Sequence, residues 1–593
     1  MDYYGLMQPL FRPLHLSLAC ALLLGAPLAI GQTRTPAAPP PTAVKTPAPP
    51  QEALTAELFY EILVGEMSAS QGDWANATGL MLEAARSAHS EQLYRRATEL
   101  ALQSRSAERA LSASQEWRQA FPKSRDANRY VLQILLALNR VSDSLQPLQQ
   151  EIAATPDAAK ASTYLGIAQL YSRVTDKALA AAVVEQALGK DLQNPTTGAA
   201  AWATVGHLRI VAGQKELALE AAQRSHAFSP TGGAAALLAL ELMEAKIPAA
   251  EPLVQDYLRH QPSATIRMAY ARVLMGYDRN AEALEQLETI TQETPEFADA
   301  WLAKAGLHEQ AQDWEPAKQA LAQYIPLAQK LPDAGMRKQA LTQAYLMAAN
   351  IAMQQHDEAT AAQWLDQIEE GQAQLNVQSI RANILLRQGK LPQARALIRA
   401  LPATNPGQER LKRRAEIQLL RDGGAIQEAY LLQRTLLDKA PNDNDVAYET
   451  AILADKAGKH DTAESLLRGI LERKPDYHHA YNALGYSLAE RGVRLDEARQ
   501  LIEKALEFAP NDPFILDSLG WVEFQQGNTK QALSHLEKAF DLRNDAEIAA
   551  HLGEVLWRAN EQARARTIWH RGLQRDPRNE TLLQTLKRLG IQP

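Results

Sequence analysis

A Leu-Gly pair recurs three times near the end of this chain, with spacings of 35 and then 33 residues. Each pair is followed by one alanine, and the three combinations are Leu484-Gly485 with Ala498, Leu519-Gly520 with Ala532, and Leu552-Gly553 with Ala565. Glycine inside a helix costs about 1 kcal/mol relative to alanine, and a close helix crossing offsets that cost. Because helices approach closely only through small residues, the pattern predicts antiparallel helix pairs in which each glycine faces the alanine that follows it.

The same units carry a bulky residue before the Leu-Gly pair, such as Tyr481. Two of the three end in a proline, Pro510 and Pro577, and the middle one has Asn544 at that position. This combination, at a period of about 34 residues, resembles the tetratricopeptide repeat. The resemblance implies an all-α fold, a right-handed α-solenoid with two helices per repeat. Counting back from the C-terminus predicts about fifteen helix pairs, which begin near residues 58, 91, 125, 159, 199, 231, 264, 298, 342, 375, 410, 444, 478, 513 and 546.

Earlier parts of the chain repeat this pattern less regularly. Leu165-Gly166 and Val205-Gly206 restate the first-helix signature, whereas Ala271, Ala305 and Ala382 stand where glycine is expected. The alanines that we expect to open the second helices are Ala77, Ala110, Ala178, Ala218, Ala250, Ala283, Ala317, Ala361, Ala394, Ala429 and Ala463. We predict a degenerate solenoid over residues 54–341, a more regular one over 342–579, and a capping helix with a short tail over 580–593.

Residues 1–31 have the pattern of a secretory signal peptide. Arg12 precedes an apolar run from Leu14 to Ile30, and Ala29-Ile30-Gly31 is a small-x-small cleavage site that places the mature start at Gln32. The apolar run is short for a membrane span and is interrupted by Gly25-Ala26-Pro27. The pattern predicts export to the periplasm with cleavage after Gly31.

Two alternatives to simple cleavage stay open, and each would leave the protein on a membrane. Cys20, the single cysteine of the chain, would carry lipid in a lipoprotein signal, although Ser17-Leu18-Ala19 before it is a poor lipobox. The second alternative is that the signal stays uncleaved and anchors the protein in the membrane. In either case, residues 32–53 form a linker rich in proline and alanine that we expect to be disordered or semi-extended. Association with the outer membrane through the N-terminus follows from the lipoprotein alternative.

Composition and motifs favour a protein without catalytic function. The net charge of −7 and pI near 6.1 disfavour nucleic acid as a partner for the whole chain. We find no P-loop and no Gly-x-Ser-x-Gly elbow, and the adjacent His478 and His479 point about 100° apart on a helix, which makes a poor metal pair. We therefore predict no catalytic residue, metal or cofactor. An enzyme such as a glycosyltransferase or hydrolase with repeats attached is the alternative, but the repeats leave no other segment of domain size.

Several aromatic and polar residues fall on first-helix positions away from the Leu-Gly seam. In a stacked repeat array, first helices line the concave binding face. Trp521 and Phe524 are three residues apart and share one side of a helix, and Tyr486 follows Gly485 as Trp521 follows Gly520. We predict an exposed aromatic stripe that binds a protein partner, formed by Tyr448, Tyr486, Trp521, Phe524 and Trp557, with Asn482 and Asp517 placed to contact the partner's backbone. Packing of some of these residues between repeats is the alternative.

The C-terminal repeats also resemble a narrower group of proteins. The segments that carry this resemblance are Tyr481–Tyr486, Pro510–Pro513, Asp517–Trp521 and Ala550–Glu554. They are similar to the C-terminal block of a proteobacterial envelope family that includes an outer-membrane lipoprotein adaptor. That resemblance implies a scaffold that partners a carboxyl-terminal processing protease and presents cell-wall hydrolases to it. A scaffold for exopolysaccharide export or secretion machinery shares the fold and is the alternative.

Overall fold

The structure is a computed structural model that describes residues 55–369, 371, 373–577 and 579–592. The predicted signal peptide, Cys20 and the linker lie outside the described residues. Thirty-one α-helices, three short 3₁₀ helices and no strand make up the described part of the chain. None of these helices combines the length and the apolar character that crossing a membrane requires.

The described residues divide into two compact units, 55–347 and 348–592, and the boundary falls inside α17 (Ala334–Gln354). The helices before α17 are α1 (Ala56–Ser70), α2 (Trp74–Ser87), α3 (Glu91–Gln103), α4 (Ala107–Ala120), α5 (Arg125–Ala137), α6 (Leu145–Ala153), α7 (Asp157–Tyr171), α8 (Lys177–Ala187), α9 (Gly198–Val211), α10 (Lys215–Phe228), α11 (Gly233–Glu244), α12 (Glu251–His260), α13 (Ala264–Gly276), α14 (Asn280–Glu293), α15 (Ala298–Gln310) and α16 (Trp314–Gln329), with 3₁₀ helices at Ser142–Ser144, Asp191–Gln193 and Pro248–Ala250.

The helices after α17 are α18 (Glu358–Asp366), α19 (Gln374–Arg387), α20 (Leu391–Ala400), α21 (Pro406–Asp422), α22 (Ile426–Lys439), α23 (Asn444–Lys456), α24 (His460–Arg473), α25 (His478–Glu490), α26 (Leu495–Phe508), α27 (Pro513–Gln525), α28 (Thr529–Leu542), α29 (Ala546–Arg558), α30 (Gln562–Arg575) and α31 (Glu580–Arg588). Taken in order, the described helices form fifteen consecutive pairs, and α31 follows the last pair. The predicted all-α repeat fold is therefore confirmed.

The last three pairs are held together at the predicted glycine-to-alanine crossings. Ala498, Ala532 and Ala565 are fully buried. A Cβ atom added to Gly485 would lie 2.8 Å from the Ala498 carbonyl oxygen and 2.6 Å from Ile502 Cγ1. Real Cβ atoms do not come that close to a neighbouring backbone, so only glycine fits this crossing without displacing the second helix.

Each pair turns tightly between its first and second helix. Between α27 and α28, Gly527 adopts a positive φ of 87°. The amides of Gly527 and Asn528 donate back to the carbonyl oxygens of Phe524 and Glu523, at 2.9 and 2.8 Å. This hydrogen-bond pattern closes the C-terminal end of the first helix. It requires one residue in the left-handed backbone conformation, which glycine adopts most easily.

The fourth pair departs from the predicted register. Leu165 is 40% exposed, a Cβ added to Gly166 would meet nothing within 4 Å, and Ala178 is exposed. The buried side of α7 carries Tyr164 and Tyr171 instead. The Tyr171 hydroxyl lies 2.6 Å from the Ser144 hydroxyl of the preceding pair. Leu165 and Gly166 therefore do not form a close crossing, and the Leu-Gly prediction for this repeat is wrong. The other ten alanines predicted to open second helices are all buried.

A single helix closes the C-terminal end of the second unit. The Asn579 side chain accepts a hydrogen bond from the Leu582 amide at 2.9 Å and caps α31. Leu582 and Leu586 are buried beneath the helix, and Gly590 follows with a φ of 69°. The position of the capping helix, its N-cap and its terminating glycine are as predicted from the sequence.

Candidate partner-binding site

The seven predicted partner-binding residues all lie on first helices of the second unit, but they differ in exposure. Asn482 is fully buried, Asp517 is 4% exposed and Trp521 is 6% exposed. Tyr448, Tyr486, Phe524 and Trp557 are half-buried. The expectation of an exposed aromatic stripe is therefore wrong for Trp521, and Asn482 and Asp517 are buried as well. The partner-binding role of the set stays a prediction.

Trp521 is covered because the next repeat supplies a ring that stacks on it. The imidazole of His551, on α29, lies 4.4 Å from the Trp521 ring at an interplanar angle of 25°. Phe524 covers another side of the indole, with ring centroids 5.4 Å apart. Packing between consecutive first helices thus buries the indole that sequence analysis expected to face a partner.

His551 is the centre of a buried polar cluster that joins three consecutive repeats. Its Nδ1 atom lies 2.9 Å from Asp517 Oδ2 on α27, and its Nε2 atom lies 3.4 Å from the Tyr486 hydroxyl on α25. Both ring nitrogens are therefore occupied within the protein, and His551 itself is only 2% exposed. A buried imidazole with both nitrogens engaged acts as a link between repeats and has no free atom with which to exchange a proton with a substrate.

The charges in this cluster favour an ion pair at neutral pH. Burial would lower the pKa of the His551 imidazole, but the carboxylate of Asp517 outweighs that effect and raises it to about 9. Burial raises the pKa of the Asp517 carboxyl group, and His551 opposes the increase. Burial also raises the pKa of Tyr486 well above its ordinary value, with further contributions from Glu490 and Glu547. An imidazolium paired with a carboxylate satisfies both groups inside the stack.

Sequence analysis did not single out His551. It stands 34 residues after Asp517, which is one repeat period, and immediately before the Leu552-Gly553 pair. An acidic residue and a histidine one period apart on successive first helices are neighbours in a stacked array. That spacing is the signal that would have identified the pair.

A second aromatic group surrounds Tyr448 at the start of the same face. The Tyr448 ring lies 5.8 Å from Tyr477 and 6.3 Å from His479. The Tyr477 hydroxyl donates to Asp445 at 2.8 Å, whereas the Tyr448 hydroxyl has no hydrogen-bond partner among the described residues. Burial, followed by the charge of Asp512, raises the pKa of Tyr448. Tyr448 therefore remains a neutral donor at any physiological pH.

Phe524 and Trp557 leave part of their rings accessible near the C-terminal end. Trp557 lies 5.7 Å from Trp569 of its own repeat, and the guanidinium of Arg566 lies 5.4 Å from the Trp557 ring. This is the distance at which a cation is attracted to an indole face.

The described residues contain no group of three His, Cys, Asp or Glu side chains that is able to hold a metal ion.

Comparison with known proteins agrees with this repeat architecture. Residues 448–513 and 518–580 match one tetratricopeptide repeat family model, and residues 375–400 match another. The TPR repeat-containing protein PA4667 of Pseudomonas aeruginosa is 33% identical over 211 residues, which are 36% of this chain and 36% of that protein. Cellulose synthase operon protein C of Pseudomonas fluorescens is 23% identical over 339 residues, which are 54% of this chain and 24% of that protein.

A solved tetratricopeptide repeat protein from Parabacteroides merdae is 19% identical, with a TM-score of 0.32 over 42% of this chain and 98% of that chain. A likeness this weak carries no argument. The chain spans about a third of the length of the Pseudomonas aeruginosa relative and about a quarter of the length of the Pseudomonas fluorescens relative. The described residues form paired helices throughout, and the segments 375–400, 448–513 and 518–580 match tetratricopeptide repeat models.

Proposed function

We propose that this chain is a non-catalytic scaffold of the bacterial cell envelope that binds protein partners through the first helices of its C-terminal repeats. Tetratricopeptide repeats bind proteins, and a stacked array presents a long continuous surface for that purpose. The observation that carries the proposal is the run of partly exposed aromatic residues on four consecutive first helices: Tyr448, Tyr486, Phe524 and Trp557. Large rings with accessible area are the residues that most often anchor protein interfaces.

The specific role that we favour is an adaptor that holds substrates for a periplasmic processing protease. The segments Tyr481–Tyr486 and Asp517–Trp521 support it through their resemblance to the envelope adaptor family. The location rests on the predicted signal over residues 1–31. Membrane association then depends on whether Cys20 carries lipid.

A scaffold for exopolysaccharide export is the second candidate. Its support is the similarity to a protein named for the cellulose synthase operon, at 23% identity over 54% of this chain. The two candidates share the fold and the binding face and differ in the partner. Crosslinking in the native envelope followed by mass spectrometry distinguishes them. The adaptor candidate predicts crosslinks to a protease and to cell-wall hydrolases, whereas the export candidate predicts crosslinks to polysaccharide export proteins.

Truncation of the accessible rings tests the binding face. We expect Phe524→Ala combined with Trp557→Ala to weaken binding of the crosslinked partner by about tenfold or more, measured with the purified proteins. The matched control is Phe508→Ala combined with Leu542→Ala, since these two large apolar residues are more exposed than Phe524 and Trp557 but lie on the second helices α26 and α28. Equal affinity for the two double variants would exclude this face as the binding site.

A further inference from the structure

The first helix of the described chain, α1, has an apolar face that the other described residues leave open. Five apolar residues of α1 fall within about 100° of its circumference: Ala56, Phe59, Tyr60, Leu63 and Met67. The exposed fractions of the four large ones are 53% for Phe59, 62% for Tyr60, 45% for Leu63 and 51% for Met67. An apolar stripe of this width is typical of a helix face that packs against another element.

The opposite side of α1 already packs on the repeats that follow. Ser68 and Ala69 are buried there, and Asn76 of α2 donates to the Ser68 hydroxyl at 3.1 Å. Glu66 accepts two hydrogen bonds from Arg96 of α3, both at 2.7 Å. The open face is therefore a second packing surface of the same helix, and no helix precedes α1 in the part of the chain that the structure describes.

Charge and area disfavour a membrane or a second copy of the chain as the occupant of this face. α1 contains Glu57, Glu61 and Glu66 and no basic residue, whereas helices that lie on membranes carry lysine or arginine beside their apolar face. A second copy would bring two acidic helices together. The exposed area of the four large side chains is about 400 Å², which is about half of what each partner of a stable dimer buries.

The chain itself supplies a segment of suitable chemistry immediately before α1. Residues 45–50, which lie outside the described residues, read Lys-Thr-Pro-Ala-Pro-Pro. Only four residues separate them from Thr55, whose side chain caps α1. Segments rich in proline favour the polyproline II conformation and bind surfaces lined by aromatic rings. Because the segment is covalently attached to α1, its effective concentration at the open face is of the order of millimolar, so that weak contacts suffice.

The lengths of the segment and the helix match. In the polyproline II conformation, residues 45–50 span about 19 Å, and α1 is about 22 Å long. Residues 51–54 reach about 13 Å when extended, which is enough to reverse the chain direction. The reversed segment would bring Lys45 to the C-terminal end of α1, where the helix dipole favours a cation.

We propose that the proline-rich segment 45–50 folds back on α1 and covers its open apolar face. Its proline rings pack on Phe59, Leu63 and Met67. The Tyr60 hydroxyl donates to a carbonyl oxygen of the segment, because a polyproline II backbone leaves its carbonyl groups without internal partners. The segment then closes the N-terminal end of the first unit, as a capping element does in a repeat array. This proposal is independent of the partner-binding face, which lies in the second unit.

Methionine oxidation in the full chain measures whether the face is covered. Met67 and Met336 have similar exposed fractions, 51% and 56%, so the described residues alone would let both oxidise at similar rates. Treatment with dilute hydrogen peroxide, followed by peptide mass spectrometry, gives the two rates. Because oxidation follows exposure, we expect Met67 to react at least about threefold more slowly than Met336. Equal rates would overturn the proposal.

Two matched triple variants identify the occupant. The first replaces the prolines of the segment: Pro47→Ser, Pro49→Ser and Pro50→Ser. The control replaces three prolines farther from α1: Pro39→Ser, Pro40→Ser and Pro41→Ser. We expect the first variant to raise the oxidation rate of Met67 to that of Met336 and the control to leave it unchanged. The same result in both variants, or protection that is lost on dilution as a second copy would give, would overturn the assignment.

Trypsin cleavage after Lys45 provides the reciprocal test. Cleavage after Arg34, eleven residues earlier and outside the segment, is the internal reference. Tyr60→Ser combined with Leu63→Ser removes the apolar face while retaining the fold, because both side chains are exposed. We expect this variant to be cleaved after Lys45 at least about threefold faster, relative to Arg34, than the wild type.

The matched control for the cleavage test alters two other exposed leucines of the first unit. Their exposed fractions are 42% and 46%, and they lie on α3 and α10: Leu102→Ser and Leu217→Ser. This double variant should keep the wild-type ratio of the two cleavage rates. An unchanged ratio in the Tyr60 and Leu63 variant, or an equal increase in the control, would mean that α1 does not hold the segment.

Discussion

The Nδ1 atom of His551 lies 2.9 Å from Oδ2 of Asp517, across the interface between two consecutive repeats. The two side chains are 3% and 6% exposed, so the pair is closed off from solvent. Such a pair is far more costly to break than to keep, because removing one partner leaves an uncompensated buried charge. The pair therefore couples the stability of the last repeats to pH.

We expect alkaline pH to loosen α27 and α29 before the rest of the second unit. The pKa of His551 is raised to about 9 in the folded protein, compared with an unfolded value of about 6.5. Its stabilising contribution is complete below pH about 6.5 and is lost as pH rises through 9, and it amounts to about 3 kcal/mol at most. Hydrogen exchange of these helices, corrected for the intrinsic rate, measures the loss.

Two variants control the pH experiment. His551→Gln should be less stable at pH about 6 and should show little change between pH about 6.5 and 9. Asp517→Asn should lower the pKa of His551, as followed by NMR, because burial is then opposed only by the weaker effects of Glu547 and Glu490. A wild-type imidazole that titrates at its ordinary pKa would contradict the ion pair.

Gly485→Ala should destabilise the repeats around α25 and α26 by about 1–3 kcal/mol. The added methyl group would lie 2.8 Å from the Ala498 carbonyl oxygen, so the helices must separate. Gly79→Ala is the matched control, because Gly79 is inside α2 and a Cβ there meets nothing within 4 Å. We expect that control to stabilise α2 by about 0.5–1 kcal/mol. Local hydrogen exchange reports both values, and equal effects of the two variants would refute the crossing.

Trp521→Ala should damage the fold more than Trp557→Ala does. Trp521 is 6% exposed and packs against both His551 and Phe524, so its truncation leaves a cavity that costs about 3–5 kcal/mol. Trp557 keeps part of its ring accessible, and truncating it should cost clearly less. Urea unfolding followed by far-ultraviolet circular dichroism compares the variants. The same midpoint for both would mean that Trp521 is not part of the inter-repeat core.

The contact between Glu554 and Arg588 should hold the capping helix in place. The Glu554 carboxylate is 3% exposed and accepts two hydrogen bonds from the Arg588 guanidinium. Arg588→Gln should cost about 1.5–3 kcal/mol, because a buried carboxylate is left with a weaker donor. Adding Glu554→Gln to this variant should restore part of the loss. Stability measurements on both single variants and the double variant give the coupling energy, and additive effects would argue against a direct interaction.

The repeat phase of the C-terminal unit could be derived from the sequence with good accuracy. Gly485 and Ala498 define one close crossing, and the period then places the neighbouring helix pairs and the cap at Asn579. A local steric rule is enough here, because each repeat contacts mainly its neighbours. The rule failed at Leu165 and Ala178, which are exposed, because the buried side of α7 carries Tyr164 and Tyr171 instead.

The sequence by itself determined which residues stand on the first helices, including all seven of the predicted site. Only the tertiary structure decided which of them are covered. Trp521 and Tyr486 occupy equivalent positions in successive repeats, yet Trp521 is buried under His551 and Tyr486 keeps some exposure. Periodicity specifies the position of a side chain along a helix, whereas its exposure depends on the size and charge of the side chain that the next repeat places against it.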